Sequence, residues 1–255
     1  MKEIKIIPLN TNVDDCVRMA VLAARITQRS EKIKTADDFI ELYNKPFSDG
    51  LVKTLCELPH PTLQKLGVIN VAVVGASRRF LAQVTRHQNE VKFISGSCQY
   101  SDYSDDAQFV IPYNMLNNKE AADMYLEGCK KDMEEYKALA ATVGNDEAGY
   151  KAPQGLRNVL VISATPYQWK HMISQRTCRR NTDETRYVFL SIWRMLYTIN
   201  PIFFGNCGPF CMQGSCKEGK MACGKPMYGS PLSIILHDYP ALAEDNPIVD
   251  CHSNT

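Results

Sequence analysis

The sequence predicts a chain that combines β-strands with amphipathic helices. Residues 2–9 are typical of a short strand, and the β-branched run Val68–Val74, bounded by Gly67 and Gly75, indicates a buried strand. After Asn12, apolar residues recur at helical spacing and predict a helix with one buried face; these are Val13, Cys16, Val17, Ala20, Val21 and Ala24. A mixed fold of sheet and helices is therefore expected.

Further helices are predicted from capping signals and apolar spacing. Thr35, with Asp38 three residues later, predicts a capped helix whose Phe39, Leu42 and Tyr43 face inward. The dipeptide Thr165-Pro166 begins another, because proline is favoured in the first turn. The remaining predicted helices cover residues 51–58, 78–87, 119–141 and 182–200.

Composition bounds the classes of function. The chain has 255 residues, of which 45% are apolar and 22% charged, enough for a substantial core in one large or two small domains. A formal net charge of +1 gives no basic field for a nucleic-acid polymer, although a single nucleotide remains open. No apolar run approaches the roughly 18 to 20 residues that span a bilayer, and the first residues lack a signal-peptide core. We expect a cytoplasmic protein with no membrane partner.

Two short segments concentrate polar groups. Gln83, Arg86 and His87 share one face of a predicted helix, and the segment up to Gln99 adds hydroxyls and amides that suit phosphate and base edges. A second segment, residues 176–186, is rich in arginine and contains Arg176, Arg179, Arg180 and Arg186. On composition alone, the ordinary explanation is a solvated helix face for the first segment and ion pairing with Asp183 and Glu184 for the second. Neither segment decides the function on composition alone.

Both segments resemble the signatures of one family, the flavin-dependent thymidylate synthases. Gln83-Val-Thr-Arg86-His87-Gln88 followed by Ser97-Cys98-Gln99-Tyr100 resembles the family's Arg-His-Arg, seven residues, Ser pattern. Gln88 and Gln99 stand where the family has arginines. One residue is inserted before Ser97, which leaves Ser95 as a competing match.

The second half of the chain agrees with the same family. Arg157-Asn-Val-Leu resembles its Arg-x-Val-Leu-Pro, and Arg176-Thr-Cys-Arg-Arg resembles its Arg-Thr-Cys-x-Arg. The segment 203–224 resembles the Gly-Pro-x-Cys and Glu-Gly-Lys-Met-x-Cys-Gly tail of some bacterial members. On this resemblance we assign residues 1–225 to the family domain and residues 226–255 to a peripheral extension.

The resemblance implies a fold and an activity. The fold would be α+β, with a twisted, mainly antiparallel sheet, packed helices and a homotetrameric assembly whose sites draw on several subunits. The activity would be reductive methylation of dUMP, with methylenetetrahydrofolate as the carbon donor, NADPH as the reductant and FAD as the cofactor. The missing arginines motivate two alternatives: a flavoenzyme acting on another pyrimidine nucleotide such as UMP, by methylation or hydroxymethylation, or a catalytically silent nucleotide-binding homologue.

The resemblance also implies roles for individual residues. Arg176 would be catalytic, stabilising the negative charge that develops on the uracil edge. The substrate nucleotide would contact Gln83, Arg86, Ser97, Gln99 and Arg157. The flavin would lie near Arg86, His87, Gln88, Val68 and Ser95.

Four cysteines lie close together near the carboxyl end of the family domain. Cys207, Cys211, Cys216 and Cys223 fall within seventeen residues of a glycine-rich segment. Four thiolates can hold structural zinc, but no Cys-x-x-Cys pair is present. A zinc site, a disulfide and reduced thiols therefore all remain open from the sequence.

Overall fold

A computed structural model describes residues 1–251. Its centre is a four-stranded antiparallel sheet in the order β1-β2-β4-β3. The strands are Lys5–Asn10 (β1), Ile69–Ser77 (β2), Val91–Ser95 (β3) and Arg157–Ala164 (β4). The predicted α+β class with an antiparallel sheet is confirmed.

Ten α-helices and several short 3₁₀ turns surround the sheet in the described part of the chain. The helices are Val13–Arg29 (α1), Ala36–Asn44 (α2), Asp49–Glu57 (α3), Arg78–Val84 (α4), Lys119–Val143 (α5), Asn145–Ala148 (α6), Pro166–Arg176 (α7), Asp183–Ile199 (α8), Pro201–Phe204 (α9) and Pro231–Asp238 (α10). Within residues 1–251, no helix is both long and apolar enough to cross a membrane.

One face of the sheet carries the main core. Val71 and Val73 on β2 and Leu160 and Ile162 on β4 are fully buried, as the period-2 alternation of a strand requires. Helix α8 packs in the same core and is apolar on nearly every side; its buried residues include Val188, Phe189, Leu190, Ile192 and Leu196. The sheet and α8 together fix the ends of the neighbouring helices α4 and α7.

The opposite face of the sheet is apolar but open. Val74 on β2 and its register partner Val159 on β4 remain 37% and 43% exposed, and Ile94 on β3 remains 73% exposed. Ile94 pairs with Val161, so the three strands present their apolar side chains on one surface. An exposed apolar surface of this kind is typical of a protein interface.

Several helices agree with their predicted boundaries. All six predicted inward residues of α1 are buried. Thr35 and Asp38 form a capping box at α2, but the expectation that Phe39 faces inward was wrong, since α2 has no buried residue and Phe39 is 40% exposed. Strands β3 and β4 were not predicted as strands.

The segment expected to be a peripheral extension is part of the core. Met227, Ile234, Ile235, Tyr239 and Leu242 are buried in the main apolar cluster. A backbone bridge joins Ile248 to Ile6 at the edge of β1. Residues 226–251 therefore pack with the rest of the chain, while residues 252–255 lie outside the described part.

Candidate functional site

Arg176 ends helix α7 and makes three hydrogen bonds to neutral groups. Thr165 caps the start of this helix by accepting from the Gln168 N–H, and Pro166 occupies its first turn. The Arg176 guanidinium donates from Nε to His87 Nε2 at 2.9 Å and from Nη2 to the Gln83 backbone carbonyl at 2.7 Å. A third bond, from Nη1, reaches Asn181 Oδ1 at 3.4 Å. We call these four residues the arginine group.

The Gln83 side chain ties helix α4 to the start of α8. Its Oε1 accepts hydrogen bonds from the hydroxyls of Thr182 at 3.1 Å and Thr185 at 2.7 Å. The side chain predicted to contact the nucleotide is therefore engaged within the protein, and its backbone carbonyl orients Arg176. Gln83 thus serves to position Arg176 in this structure.

A partly buried carboxylate fixes the same junction from the other side. Glu184 accepts from the Ser77 backbone N–H at 2.7 Å and from the Ser77 hydroxyl at 2.6 Å. Burial raises the pKa of Glu184, while the two bonds from Ser77 act in the opposite direction. Because Ser77 ends β2 and caps α4, this contact locks the sheet, α4 and α8 together.

His87 is a buried, neutral acceptor. Its Nε2 accepts from Arg176, so this nitrogen carries no proton. Burial, the Arg176 charge and His171 lower the pKa of His87 to about 4. The His171 ring lies edge-on at 6.0 Å between ring centroids. His87, which was predicted to lie near the flavin, is hydrogen-bonded to the Arg176 guanidinium.

Within residues 1–251, Arg176 has no carboxylate partner. Burial and the neighbouring Arg86 guanidinium lower the pKa of Arg176. Arg86 is exposed, and it has no hydrogen bond or ion pair within residues 1–251. Two close guanidiniums without a carboxylate partner suit an anionic ligand, such as a phosphate or a polarised uracil edge. This part of the protein therefore has the charge to bind an anionic ligand, while the predicted contacts with nucleotide and flavin stay predictions.

A second group of predicted residues lies on the loop after β3. Ser97 Oγ accepts from the Gln99 backbone N–H at 3.1 Å, and the Gln99 side chain donates to Asp146 Oδ2 at 3.5 Å. Asn158 on β4 holds the loop by donating to the Gly96 carbonyl at 3.1 Å. The loop is anchored to the sheet, while Gln99 itself is exposed.

Arg157 begins β4 and is already paired. It donates from Nη1 to Gln108 Oε1 at 2.7 Å and forms an ion pair with Glu3. None of its hydrogen bonds goes to the arginine group in the described structure. The remaining residues assigned to flavin are on the surface: Gln88, Ser95 and Val68 are all exposed.

Three contributors to the site were missed in the sequence. Asn181 contacts Arg176 directly, and Thr182 and Thr185 orient Gln83. Asn181, Thr182 and Thr185 follow the Arg176-Thr-Cys-Arg-Arg motif closely in the sequence. Their hydroxyl and amide groups beside clustered arginines could have indicated a role in the site.

The structure separates the four cysteines predicted to bind zinc. Cys207 is only 2% exposed, and its thiol donates to the Phe204 carbonyl at 2.9 Å. Burial raises the pKa of Cys207 to about 12, so it is a protonated packing thiol. The other three line a separate cavity. Within residues 1–251, no three His, Cys, Asp or Glu side chains are close enough to hold one metal ion, and all ten cysteines are unpaired.

The fold is similar to that of two solved nucleotide enzymes. The flavin-dependent thymidylate synthase ThyX from Helicobacter pylori, complexed with FAD and dUMP, matches with a TM-score of 0.60 and 16% identity, over 80% of this chain and 99% of that one. The UMP/dUMP methylase PolB from Streptomyces cacaoi, bound with 5-Br dUMP, matches with a TM-score of 0.62 and 14% identity, over 79% and 93% of the chains. The fold is that of the flavin-dependent thymidylate synthases.

Sequence comparisons give the family. The flavin-dependent thymidylate synthase of Geobacter sulfurreducens is 23% identical over 221 residues, covering 86% of this chain and 94% of the relative. That of Thermococcus onnurineus is 27% identical over 174 residues, covering 64% and 69%. The model of the thymidylate synthase complementing protein family matches residues 9–202, and this chain belongs to that family as a divergent member.

Proposed function

We propose that this chain catalyses the FAD-dependent reductive methylation of dUMP to dTMP, with methylenetetrahydrofolate as carbon donor and NADPH as reductant. The observation that carries the proposal is the arginine group. Arg176 is held by three neutral partners beside Arg86, which has no ion pair or hydrogen bond within residues 1–251, so the charge of Arg176 is free to act on a ligand.

The chemical requirement is to make C5 of uracil nucleophilic. Negative charge then develops over O2, N3 and O4, and a fixed guanidinium stabilises that charge without moving a proton. A guanidinium has five N–H donors. Arg176 uses Nε, one Nη1 hydrogen and one Nη2 hydrogen inside the protein, which leaves two donors for a ligand. Its orientation is set before the nucleotide binds.

His87 supports this orientation because it is neutral. A protonated imidazole would repel the guanidinium and could not accept its hydrogen bond. The pKa of about 4 keeps His87 uncharged at neutral pH. Bound FAD would supply the reducing equivalents for the methyl group. We propose that Arg86, Gln88, Ser95 and Val68 line its binding surface.

The proposed assembly is a homo-oligomer, for which a homotetramer is expected. The open apolar face formed by Val74, Val159 and Ile94 supports burial against another copy. We propose that Ser97, Gln99 and Arg157 of one copy complete the site around Arg176 of another. Mixing inactive Arg157→Ala and Arg176→Ala proteins under exchange conditions would then restore part of the activity. Mixtures that stay inactive despite exchange would show that each copy builds its own site.

A second candidate substrate is UMP. Gln88 and Gln99 replace two family arginines, which changes how nucleotide and flavin phosphates are held. A protein with a similar fold is described as a UMP/dUMP methylase. These observations favour testing ribonucleotides beside dUMP.

A nucleotide panel tests the proposal. We incubate FAD-loaded protein with NADPH, methylenetetrahydrofolate labelled at its methylene carbon, and one of dUMP, UMP, dCMP or CMP. The label in each nucleotide is then measured. We expect the labelled carbon to be transferred to dUMP. The matched variant is Arg176→Lys, which keeps the positive charge but loses the planar guanidinium donors. Transfer to UMP alone would establish the second candidate. Flavin-loaded protein that labels none of the nucleotides would contradict both.

A further inference from the structure

Four cysteines line one cavity beside α7 and α8. The cavity has a volume of about 270 Å³, and its wall includes Cys178, Cys211, Cys216 and Cys223. Three of these thiols come from the glycine-rich segment 207–229, whereas Cys178 comes from the turn between α7 and α8. The fold thus gathers four unpaired thiols from two distant parts of the sequence. We call this site the cysteine cavity.

We propose that the cysteine cavity binds an iron–sulfur cluster ligated by these four cysteines. Cysteine thiolates are the usual ligands of such clusters, and four of them complete the coordination of one cluster. The proposed set includes Cys178 and excludes Cys207, which points into the core and donates to the Phe204 carbonyl. It does not depend on the proposed nucleotide chemistry.

The size of the cavity favours a cluster over a single ion. One zinc ion holds its sulfur ligands at about 2.3 Å, which draws four thiols into contact around it. Here no three of the described ligand-type side chains are close enough to hold one ion. Yet the four cysteines line one cavity of about 270 Å³, many times the roughly 10 to 15 Å³ that one water molecule needs. A cluster divides its four cysteine ligands among several irons, so it does not need three of them around one ion.

The charges around the cavity suit a negative guest. A cluster with four thiolates is anionic, and the cavity wall also carries Arg179, Arg180, Lys217 and Lys225. Arg179 forms an ion pair with Asp238 at 2.7 Å. Arg180 forms an ion pair with Glu218 at 3.0 Å, so the cations are partly balanced.

The backbone also donates toward sulfur. The Met227 N–H donates to Cys211 Sγ at 3.4 Å, the type of hydrogen bond that tunes iron–sulfur centres. Gly214 and Gly224, both in the cavity wall, have φ values of 135° and 69°. Such left-handed turns let successive N–H groups converge on an anionic guest.

The cluster would sit next to the arginine group. Cys178 is two residues beyond Arg176, and its carbonyl accepts from the Asn181 amide at 3.3 Å. Asn181 also contacts Arg176. Ligation of Cys178 would therefore fix the turn that completes the arginine group.

The test is metal and sulfide analysis of the full-length protein purified without oxygen. We expect iron and acid-labile sulfide in equal amounts, two or four of each per chain, and an electron paramagnetic resonance signal after reduction. Iron and sulfide are counted chemically because flavin absorbance overlaps the visible bands. Protein that contains stoichiometric zinc without sulfide, or no metal after reconstitution with iron and sulfide, would overturn the proposal.

Single substitutions identify the ligands. Cys178→Ser, Cys211→Ser, Cys216→Ser and Cys223→Ser should each lose most of the bound iron and sulfide, while Cys207→Ala and Cys251→Ser retain them. Circular dichroism verifies that each variant is folded. Full iron content in folded Cys178→Ser, together with its loss in folded Cys207→Ala, would replace our ligand set with the four sequence-clustered cysteines and so overturn the assignment.

Discussion

The arginine group and the cysteine cavity are neighbours, but they are built in opposite ways. Arg176, Gln83 and His87 sit at the ends of helices that pack on the sheet, and hydrogen bonds fix each of them. The segment 207–229 has only two short 3₁₀ turns and no α-helix or strand. Packing of the fold is sufficient to form the first site. For the second, we propose that a ligand holds the cysteines together.

The largest expected effect of a substitution is at Arg176. Arg176→Ala should lower turnover by about 10² to 10³-fold, because it removes a preorganised donor to developing charge. Steady-state kinetics with dUMP measure the effect, and Arg29→Ala at the exposed end of α1 is the control. Turnover within a few-fold of the unaltered protein would mean that another group activates the pyrimidine.

The largest expected effect on stability is at Asp238, which pairs with an arginine of the cysteine cavity. Asp238 pairs with Arg179 and with Arg186, whose side chain is only 5% exposed. Asp238→Asn should cost about 3 to 5 kcal/mol of unfolding free energy, because it leaves buried guanidinium charge uncompensated. The exposed pair of Asp105 and Lys137 provides the control, and Asp105→Asn should cost less than about 1 kcal/mol. Equal losses in denaturant titrations would contradict this ranking.

The stability that Asp238 contributes through its pairs with Arg179 and Arg186 should fall in acid. Burial would raise the pKa of Asp238, but hydrogen bonds from Arg179 and Arg186 hold it well below its usual value. Its stabilising contribution is therefore complete above the unfolded pKa near 4 and is lost as pH falls further. Asp238→Asn should remove this part of the acid sensitivity.

His87 should make the arginine group sensitive to mild acid. Its pKa falls from about 6.5 in the unfolded chain to about 4 in the folded protein, so between these values only the unfolded chain is protonated. Unfolding free energy should fall by on the order of 3 kcal/mol as pH drops from above 6.5 to 4. His87→Gln should show a flatter profile over this window in thermal unfolding. An unchanged profile would mean that protonation of His87 does not cause the loss of stability between pH 6.5 and 4.

The smallest expected effect is a change in amide exchange that distinguishes residues 208–228 from helix α8. Removing metal with a chelator should speed amide exchange in residues 208–228, which have few backbone hydrogen bonds of their own. Helix α8 should keep its protection, since its residues are buried. Hydrogen exchange read by mass spectrometry compares the two segments in one sample. Equal exchange with and without chelator would contradict a ligand-held segment.

Local signals predicted part of the fold. The apolar spacing of α1, the Thr165-Pro166 start of α7 and the β-branched run in β2 each follow from nearest-neighbour chemistry. Strand β4 was missed because its first residues were interpreted as a family motif, although Val159–Ile162 is an apolar run. Phe39 was misplaced because helical spacing alone does not tell which helix faces the core.

The sites show the same limit. Arg176 was identified by resemblance, but its bond to His87 joins residues 89 apart in the chain, which local patterns do not predict. Cys207 was grouped with its sequence neighbours, and the structure instead places the distant Cys178 beside them. Spacing predicts ligands that share a loop, whereas tertiary packing decides which of them face one cavity.

The most direct test of the central claim is methyl transfer to dUMP by flavin-loaded protein, with the unaltered chain and Arg176→Ala measured side by side. Labelled methylenetetrahydrofolate and NADPH are supplied, and the nucleotide product is identified by mass spectrometry. Our account predicts labelled dTMP from the unaltered chain and a loss of at least about 10²-fold in the variant. Flavin-loaded protein that forms no methylated nucleotide, or a variant that forms it at the same rate, would contradict the account.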